Sequence, residues 1–367
     1  MDCVEQLLYH FIFMHDYLFI LGRDPELSVL EIKAYLNRKD IEHSLKEHND
    51  SVCLMSLKEG IKTDNITKDL GGTVKIAVEL KSLDDIVIEK NKLSYGVTQI
   101  KCDSSKLLKQ LDERFREERV KAVRRYGSMH EIPPSKSKHL DIEIILYKSR
   151  IFRVVSVSNP KEYKSRDANR PAFDPLKETS IRLAKILVNL SEAKKEVMDP
   201  FCGTGTILQE ALLMGYSVIG IDTSINDAKR NIDWIGNDYS KKARLLRGDA
   251  RKVSNYVREV EAIVTEPYLG PYIRRTLEKN EALKIRSELE RLYFAFLNEA
   301  SKIVRGRVVM IAPRFRTRGG EVALNFDSII SKTGFRKANV LKGIEIPIVY
   351  RYKTSKIERL IYVLEKR

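Results

Sequence analysis

The chain has 367 residues, of which 43% are hydrophobic and 32% are charged, and its formal net charge is +15. This length predicts two or three domains, and the composition excludes a disordered chain. A run of about 18 apolar residues does not occur, so we expect no membrane-spanning helix. The four cysteines are scattered without a CxxC pair. This pattern argues against a zinc cluster or a disulfide framework and favours a reducing, cytoplasmic location.

The basic excess is concentrated in the last third of the chain. Residues 262–367 contain 22 Lys and Arg against 11 Asp and Glu, whereas residues 1–160 contain 26 against 25. Such a basic field favours a polyanionic partner such as nucleic acid, because neutralised phosphates release condensed counterions. A lysine-rich surface that only keeps the protein soluble explains the charge equally well.

The first 160 residues predict two small α+β domains. Strand-like apolar runs and a helical spacing of apolar residues alternate along this part of the chain. The predicted strands are 17–22, 51–57, 73–80, 140–147 and 150–157, and the predicted helices are 27–35 and a segment that starts at Lys106. Residues 82–101 show little periodicity, so we place the boundary between the domains 1–81 and 82–160 there.

The second half predicts a linker followed by an α/β domain. Pro160, Pro171 and Pro175 lie among polar and basic residues and predict an extended linker, which we place at 161–177. From residue 178 to 367, strands alternate with helical segments of 10–15 residues, which is typical of βαβ units in an open parallel sheet. Strands predicted at 336–346 and 357–364 have no helix between them. We therefore expect an antiparallel pair at the sheet edge.

The strongest local signal is VMDPFCGTGT, residues 197–206, where a strand runs into a glycine turn that opens a helix. Ligands of open α/β sheets bind at such a strand end. Gly203 and Gly205 allow close approach of the backbone to a ligand, and Asp199 can accept hydrogen bonds from a cationic amino group. Leu208 replaces the third glycine of the dinucleotide fingerprint, and an acid would repel pyrophosphate. S-adenosylmethionine, a cationic nucleoside without phosphate, fits better.

Two further acids follow the next two predicted strands. Asp222 lies about 20 residues after the glycine turn, where an acid chelates ribose hydroxyls. Asp249, followed by Ala250, is placed to bind an adenine amino group. A single acid at a strand end is usually a helix cap or a turn former. Three acids in register favour a cofactor site.

The fourth strand of this domain ends in TEPYLGP, residues 265–271. Tyr268, held by the rigid Pro267 before it, can stack on a flat base. A backbone carbonyl or polar side chain beside it can accept a hydrogen bond from an exocyclic amine, which favours attack of that nitrogen on a methyl group. The alternative is a turn with only a structural role.

A basic segment, PRFRTRGG at residues 313–320, follows the fifth strand. Its arginines Arg314, Arg316 and Arg318 are interleaved with Phe315. Such a pattern can grip phosphates and stack on a base. An exposed turn with solvating charges is the alternative.

These motifs together resemble the Rossmann-fold amino-methyltransferases. The upstream sequence, from Arg166 through RPAFDP at 170–175 to the helix at 182–190, resembles the archaeal and eukaryotic tRNA guanosine-10 N2-methyltransferase family. This resemblance implies an N-terminal ferredoxin-like domain, a THUMP RNA-binding domain and a class I methyltransferase domain, in the order deduced above. It also implies S-adenosylmethionine as cofactor and tRNA as partner, and it raises a small activating subunit as a further partner.

The resemblance assigns roles to individual residues. The implied cofactor-binding residues are Asp199, Phe201, Gly203, Gly205, Asp222, Asp249 and Ala250. The implied catalytic residues are Thr265, Glu266, Pro267 and Tyr268, and the RNA contacts are Arg166, Arg170, Arg314, Arg316 and Arg318. One departure stands out, because the family motif is Asp-Pro-Pro-Tyr and Thr265 replaces its acceptor Asp. A threonine hydroxyl is a weaker acceptor than a carboxylate, so Glu266 is the alternative acceptor.

The sequence therefore predicts a cytoplasmic tRNA methyltransferase whose target, guanine N2, attacks the sulfonium methyl directly. Cys202 lies within the cofactor turn and is not expected to act as a nucleophile, and no metal site is expected. Two alternatives stay open. One is a DNA adenine or cytosine-N4 methylase, which shares the catalytic motif. The other is a non-catalytic RNA-binding protein that keeps the cofactor pocket.

Overall fold

The computed structural model describes residues 14–58, 63, 66–126, 131–173, 179–350 and 356–367. Cys3 and the part of the predicted linker from 174 to 177 lie outside these residues. The chain forms two compact units, one of residues up to 29 with 40–165 and the other of 30–39 with 166–367. No helix in the described parts of the chain is long and apolar enough to cross a membrane.

The first unit contains one continuous sheet of eight strands. The strands are β1 Met14–Leu21, β2 His43–His48, β3 Val52–Lys58, β4 Thr73–Leu80, β5 Lys92–Ile100, β6 Lys121–Arg124, β7 Ile142–Tyr147 and β8 Arg150–Val157. Their order in the sheet is β2-β3-β1-β4-β8-β7-β5-β6. The helices are α1 Pro25–Arg38, α2 Ile66–Asp69, α3 Ser105–Glu117, α4 Pro134–Ser137 and α5 Pro160–Asn169, with a 3-10 turn at Leu83–Asp85. Strands β4 and β8 pair antiparallel, so the sheet runs through both predicted N-terminal domains. Their division and their ferredoxin-like and THUMP assignments stay predictions.

Most sequence-predicted elements of this half are confirmed, whereas the strands β2, β5 and β6 were missed. Strand β5 lies within the segment 82–101, which shows little periodicity. It pairs parallel with both β6 and β7, and its residues 95–98 are buried without alternation. Its apolar residues Leu93, Tyr95 and Val97 do alternate in sequence, but they span only five residues around Gly96, and glycine is unfavourable in strands, so the signal is weak.

The segment predicted to be an extended linker is largely helical. Helix α5 covers Pro160–Asn169. The prediction of an extended conformation was wrong because the prolines do not interrupt this helix. Pro160 is its first residue, where a missing N–H costs nothing, and Pro171 lies beyond its end.

The second unit is a three-layer α/β domain around a nine-stranded sheet in the described chain. Its strands are β9 Glu196–Asp199, β10 Ser217–Asp222, β11 Ala243–Arg247, β12 Ala262–Thr265, β13 Val308–Thr317, β14 Gly320–Ala323, β15 Phe335–Lys337, β16 Ile348–Tyr350 and β17 Ile357–Lys366. Its helices are α6 Ile181–Leu190, α7 Thr206–Leu213, α8 Asn226–Ile235, α9 Asn237–Ser240, α10 Lys279–Ile303 and α11 Phe326–Lys332, with a 3-10 segment at Ala250–Asn255.

The strand order in this sheet is β11-β10-β9-β12-β13-β17-β15. Strands β9 to β13 pair parallel, whereas β17 is antiparallel to both of its neighbours. This arrangement confirms the predicted Rossmann-type α/β class and the antiparallel pair at the end of the chain. Two strand boundaries differ from the prediction. Strand β15 ends at Lys337, well before the predicted end at residue 346, and β13 continues to Thr317, past the predicted end at Ala312.

Candidate active site

The strand order of the second unit reverses beside β9. The chain passes from β9 to β10 on one side, and β12 lies on the other side. Ligands of open α/β sheets bind outside the carboxyl ends of the strands at such a switch point. Asp199 ends β9 and Thr265 ends β12, so the two predicted motifs meet there.

A buried carboxylate occupies the switch point. Asp199 is 2% exposed, and its Oδ1 accepts a 2.6 Å hydrogen bond from the Thr265 hydroxyl and a 3.1 Å bond from the Phe201 N–H. Burial raises the pKa of Asp199 to about 7, although these two hydrogen bonds oppose the shift. Its second oxygen accepts no hydrogen bond from any described residue, so it can receive a cationic amino group.

The glycine turn after β9 is tied to the second predicted acid. The Gly203 N–H donates to Asp222 Oδ2 at 2.9 Å, and the Ser224 N–H donates to the other oxygen at 3.2 Å. Gly205 has a φ of +84°, and a Cβ built on it would lie 3.2 Å from Ala228. A side chain there would be strained and crowded. The turn therefore brings an exposed backbone and the Asp222 carboxylate together, as a nucleoside site requires.

The third predicted acid is engaged by a neighbour. Both Asp249 oxygens accept hydrogen bonds from the Arg251 guanidinium at 2.6–3.0 Å, and this pairing lowers the pKa of Asp249. The Arg251 side chain is 58% exposed. Exposed ion pairs contribute little to stability, so a ligand can displace this arginine. Ala250 beside it is buried, at 5% exposure.

A buried amide holds the end of the linker against the glycine turn. The Asn231 side chain exchanges two 2.8 Å hydrogen bonds with the Ala172 backbone and donates a third, also 2.8 Å, to the Thr204 carbonyl. Asn231 is completely buried. Asn231 lies within α8, 27 residues after Thr204, and no local sequence motif indicates this contact.

The two arginines predicted upstream as RNA contacts are used inside the protein instead. Arg170 is 8% exposed, and its Nη1 donates to the Thr206 hydroxyl at 2.8 Å. Arg166 forms a 3.0 Å ion pair with Glu210, whose side chain is 3% exposed. A buried carboxylate requires such a partner. Both arginines therefore support the start of α7 and do not face an RNA.

The catalytic strand end differs from its sequence-based assignment. Thr265 is fully buried, and its hydroxyl donates a hydrogen bond to Asp199. Glu266 has both oxygens occupied, because Arg359 Nε donates to Oε1 at 2.6 Å and the Thr179 hydroxyl donates to Oε2. The side chains of this ion pair are only 7% and 18% exposed. A substrate amine cannot reach the Thr265 hydroxyl, because Thr265 is fully buried, and each Glu266 oxygen already accepts a hydrogen bond.

Pro267 and Tyr268 lie just after the end of β12, and their catalytic roles stay predictions. Pro267 is buried, whereas the Tyr268 side chain is 56% exposed. The backbone carbonyl of Tyr268 is fixed, because the buried Tyr293 hydroxyl donates a hydrogen bond to it at 2.9 Å. An exposed aromatic ring on a fixed backbone is suited to stacking on a base.

The predicted arginine segment forms part of β13. Glu358, which is 1% exposed, binds Arg314 at 2.5 Å and Arg316 at 2.7 Å, and Arg318 pairs with Glu278 at 3.0 Å. Phe315 is fully buried, so the expectation that it stacks on a base was wrong. Alternation along a strand places it on the core face. Arg316 and Arg318 keep 43% and 71% of their side chains exposed, so Arg318 is the more accessible of the two although it pairs with Glu278.

Comparison with known proteins places this chain in a family. Residues 164–325 match the family model described as RMKL-like, methyltransferase domain (UPF0020). The crystal structure of TrmN from Thermus thermophilus aligns with 96% of this chain and all of that chain, at a TM-score of 0.49 and 16% identity. The tRNA (guanine(10)-N2)-dimethyltransferase of Methanothermobacter thermautotrophicus is 31% identical over 307 residues, 79% of this chain and 86% of that protein. The chain belongs to the tRNA (guanine(10)-N2)-dimethyltransferase family. The Pyrococcus abyssi relative of the same name is 31% identical over 216 residues, 56% of each protein.

Two partners of the strand end in this dimethyltransferase family member could not be found by motif reading. Thr179 and Arg359 lie 87 and 93 residues from Glu266. Each is a polar residue with no glycine or proline next to it in sequence that would mark a functional turn. Only the pairing of β17 with β13 brings Arg359 to the carboxyl ends of the parallel strands.

We predict that replacing Arg314 and Arg316 together by alanine destabilises the protein. The buried Glu358 carboxylate would lose both guanidinium partners. Breaking such a buried pair costs about 3–5 kcal/mol, and the partial exposure of Arg316 reduces this to about 2–4 kcal/mol. Denaturant unfolding measures the change. Arg318→Ala, which removes an exposed charge, serves as the control and should change stability by less than about 0.5 kcal/mol. Wild-type stability of the double variant combined with weaker tRNA binding would contradict this interpretation.

Proposed function

We propose that this chain transfers a methyl group from S-adenosylmethionine to the exocyclic N2 of a guanosine in tRNA, with guanosine 10 as the favoured target. The observation that carries the proposal is the pairing of two features at adjacent strand ends. The buried Asp199 carboxylate has an open oxygen for a cation, and the exposed Tyr268 offers a platform for a base. Membership of the dimethyltransferase family supports the same substrate.

The residues of the switch point fit the cofactor. When bound, S-adenosylmethionine supplies an electrophilic methyl group on a sulfonium. The open Asp199 oxygen would accept hydrogen bonds from its amino group, and the Asp222 carboxylate would bind the ribose hydroxyls. Asp249 and Ala250 would contact the adenine once Arg251 has moved from the Asp249 carboxylate. The exposed Gly203 leaves room for this approach, because nothing lies within 4 Å of a Cβ built there.

On the substrate side, Tyr268 would stack against the extruded guanine and orient its N2 towards the methyl group. Thr265 is fully buried, and each Glu266 oxygen already accepts a hydrogen bond. We therefore assign the acceptor for the guanine N2–H to a main-chain carbonyl at the end of β12. The nitrogen lone pair forms the new N–C bond as the S–C bond breaks, and the surplus proton leaves to water.

Glu266 and Arg359 act as positioning residues in this proposal. Their ion pair joins the end of β12 to β17, and the Thr179 hydroxyl joins it to the segment before α6. The pair holds the backbone that carries Tyr268 and the main-chain acceptor. A rigid acceptor matters because a small misplacement of the reacting groups costs a large factor in rate.

The other predicted roles are part of the same proposal. The ferredoxin-like and THUMP domains of the N-terminal half would recognise tRNA shape, and the basic C-terminal third would supply phosphate contacts. A cytoplasmic location and a small activating subunit fit a tRNA-modifying enzyme of this kind.

The function is tested with purified protein, methyl-labelled S-adenosylmethionine and unmodified tRNA transcript. We expect label in tRNA as N2-methylguanosine, and loss of labelling in a transcript with guanosine 10 replaced by adenosine. Labelling of duplex DNA alone would support the DNA methylase alternative. No label in either nucleic acid, despite cofactor binding, would support the non-catalytic alternative and overturn the proposal.

Cofactor binding should weaken below neutral pH. Asp199 has a raised pKa of about 7, so lowering the pH protonates the carboxylate that a cationic amino group needs. We expect the affinity for S-adenosylmethionine to fall by up to about tenfold per pH unit between pH 7 and 5.5. Calorimetric titration across this range measures the effect.

Two variants separate Asp199 from its neighbours in this titration. Asp199→Asn should bind weakly at pH 7.5 and show no such decrease. Asp249→Asn should weaken binding but retain the decrease, because the pKa of Asp249 is lowered by Arg251. The assignment to Asp199 fails if the Asp199→Asn protein keeps the wild-type pH profile.

Removing the Glu266 charge should reduce kcat by about tenfold or less, because the side chain positions the backbone and does not touch the substrate. Arg359→Gln should have a similar effect, and the double variant should be no slower than either single variant, as expected for one shared interaction. The KM for S-adenosylmethionine should stay unchanged. A decrease of 10² or more for Glu266→Gln, with little effect of Arg359→Gln, would instead make Glu266 the proton acceptor.

A further inference from the structure

The loop that follows the catalytic strand exposes aromatic and cationic side chains. Tyr268 and Tyr272 are 56% and 60% exposed, and Arg274 is exposed beside them. The Arg274 guanidinium lies 5.9 Å from the centre of the Tyr272 ring. It forms no ion pair with any residue that the structure describes. Large aromatic side chains are normally buried, so two exposed tyrosines four residues apart call for a binding partner.

This loop is anchored at several points, although its tip is exposed. Arg275 forms a bidentate ion pair with Glu281 in α10 at 2.5 and 2.9 Å. Lys356 Nζ donates to the Arg274 carbonyl at 2.5 Å. Gly270, at a φ of +106°, turns the chain directly above the buried Phe315 ring, 3.5 Å from a Cβ built there. The backbone is therefore fixed before any ligand arrives.

The order of Tyr268, Tyr272 and Arg274 along the loop is suited to binding a short stretch of unpaired RNA. A flat aromatic ring stacks on any base, and an arginine beside it binds a phosphate while its cation interacts with the ring. Tyr268 lies at the strand end, where the target guanine would be held. Tyr272 and Arg274 are displaced along the loop, where the next nucleotide of the same strand would lie.

We propose that Tyr272 and Arg274 bind the nucleotide next to the target, with Tyr272 stacking on its base and Arg274 contacting its phosphate. The inference rests on the proposed function and deepens it. The segment Tyr268–Arg275 then replaces Phe315, Arg314 and Arg316 as the surface that grips RNA close to the active site. It acts on single-stranded RNA, since only an unstacked base exposes a face to the ring.

The test measures the affinity of the full chain for unmodified tRNA transcript as a function of salt concentration. Tyr272→Ala should weaken binding by about 5- to 100-fold, the range for loss of one stacked base, and Tyr272→Phe should bind like the wild type. Arg274→Ala should weaken binding and reduce the slope of log affinity against log salt by about 0.7–0.9, the value for one phosphate contact. The affinity for S-adenosylmethionine should not change in any of these variants.

Two control variants share the chemistry but lie elsewhere. Phe294→Ala removes another exposed aromatic ring, on α10, and Arg258→Ala removes an exposed charge on the segment that enters β12. Neither should change tRNA affinity or the salt slope by as much. The inference is overturned if Tyr272→Ala and Arg274→Ala bind tRNA like the wild type or like these controls. Because binding is measured without turnover, a wild type that binds tRNA but does not methylate it would reject the proposed function and leave this inference standing.

Discussion

The hydrogen bond from Thr265 to Asp199 is the interaction around which the active site is organised. It joins the ends of two adjacent parallel strands at the point where the strand order reverses. A carboxylate buried to this degree is costly unless donors compensate it. Thr265 and the Phe201 N–H satisfy one oxygen and leave the other for a ligand. The residue at the position of the family's acceptor Asp is therefore a buried hydrogen-bond partner of Asp199.

A second buried charge system stabilises the same edge of the sheet. Glu266 is neutralised by Arg359, and Glu358, the preceding residue of the same strand, is neutralised by Arg314 and Arg316. Adjacent residues of a strand point to opposite faces, so β17 contributes a charge to each side of the sheet. These pairs combine three arginines with two glutamates, so they account for only one net positive charge of the excess of 22 basic over 11 acidic residues in 262–367. Most of the C-terminal basic excess therefore lies outside these two pairings.

The N-terminal unit shows which elements hydrophobic periodicity predicts and which it misses. Its amphipathic helix α3 and the hairpin of β7 and β8 follow sequence patterns closely. The parallel strand β5 was missed, because its alternation of Leu93, Tyr95 and Val97 is short and is interrupted by Gly96. Helix α5 was not predicted, because of the prolines at its start and beyond its end. Its prolines were counted as breakers, although their effect depends on whether they lie at the first turn or in the interior.

From the sequence by itself we could identify the α/β class of the second unit and the motifs of the candidate cofactor site. The glycine turn, Asp222, Asp249 and the proline–tyrosine strand end are local motifs, and topology carries local motifs at strand ends to one edge of a parallel sheet. Only the tertiary structure decided which charges remain available. The partners of Glu266 and of the three arginines lie in distant segments, and burial together with pairing determines whether a charged side chain is structural or free to bind. Exposure likewise distinguished the buried Phe315 from Tyr272, although both have neighbouring arginines in sequence.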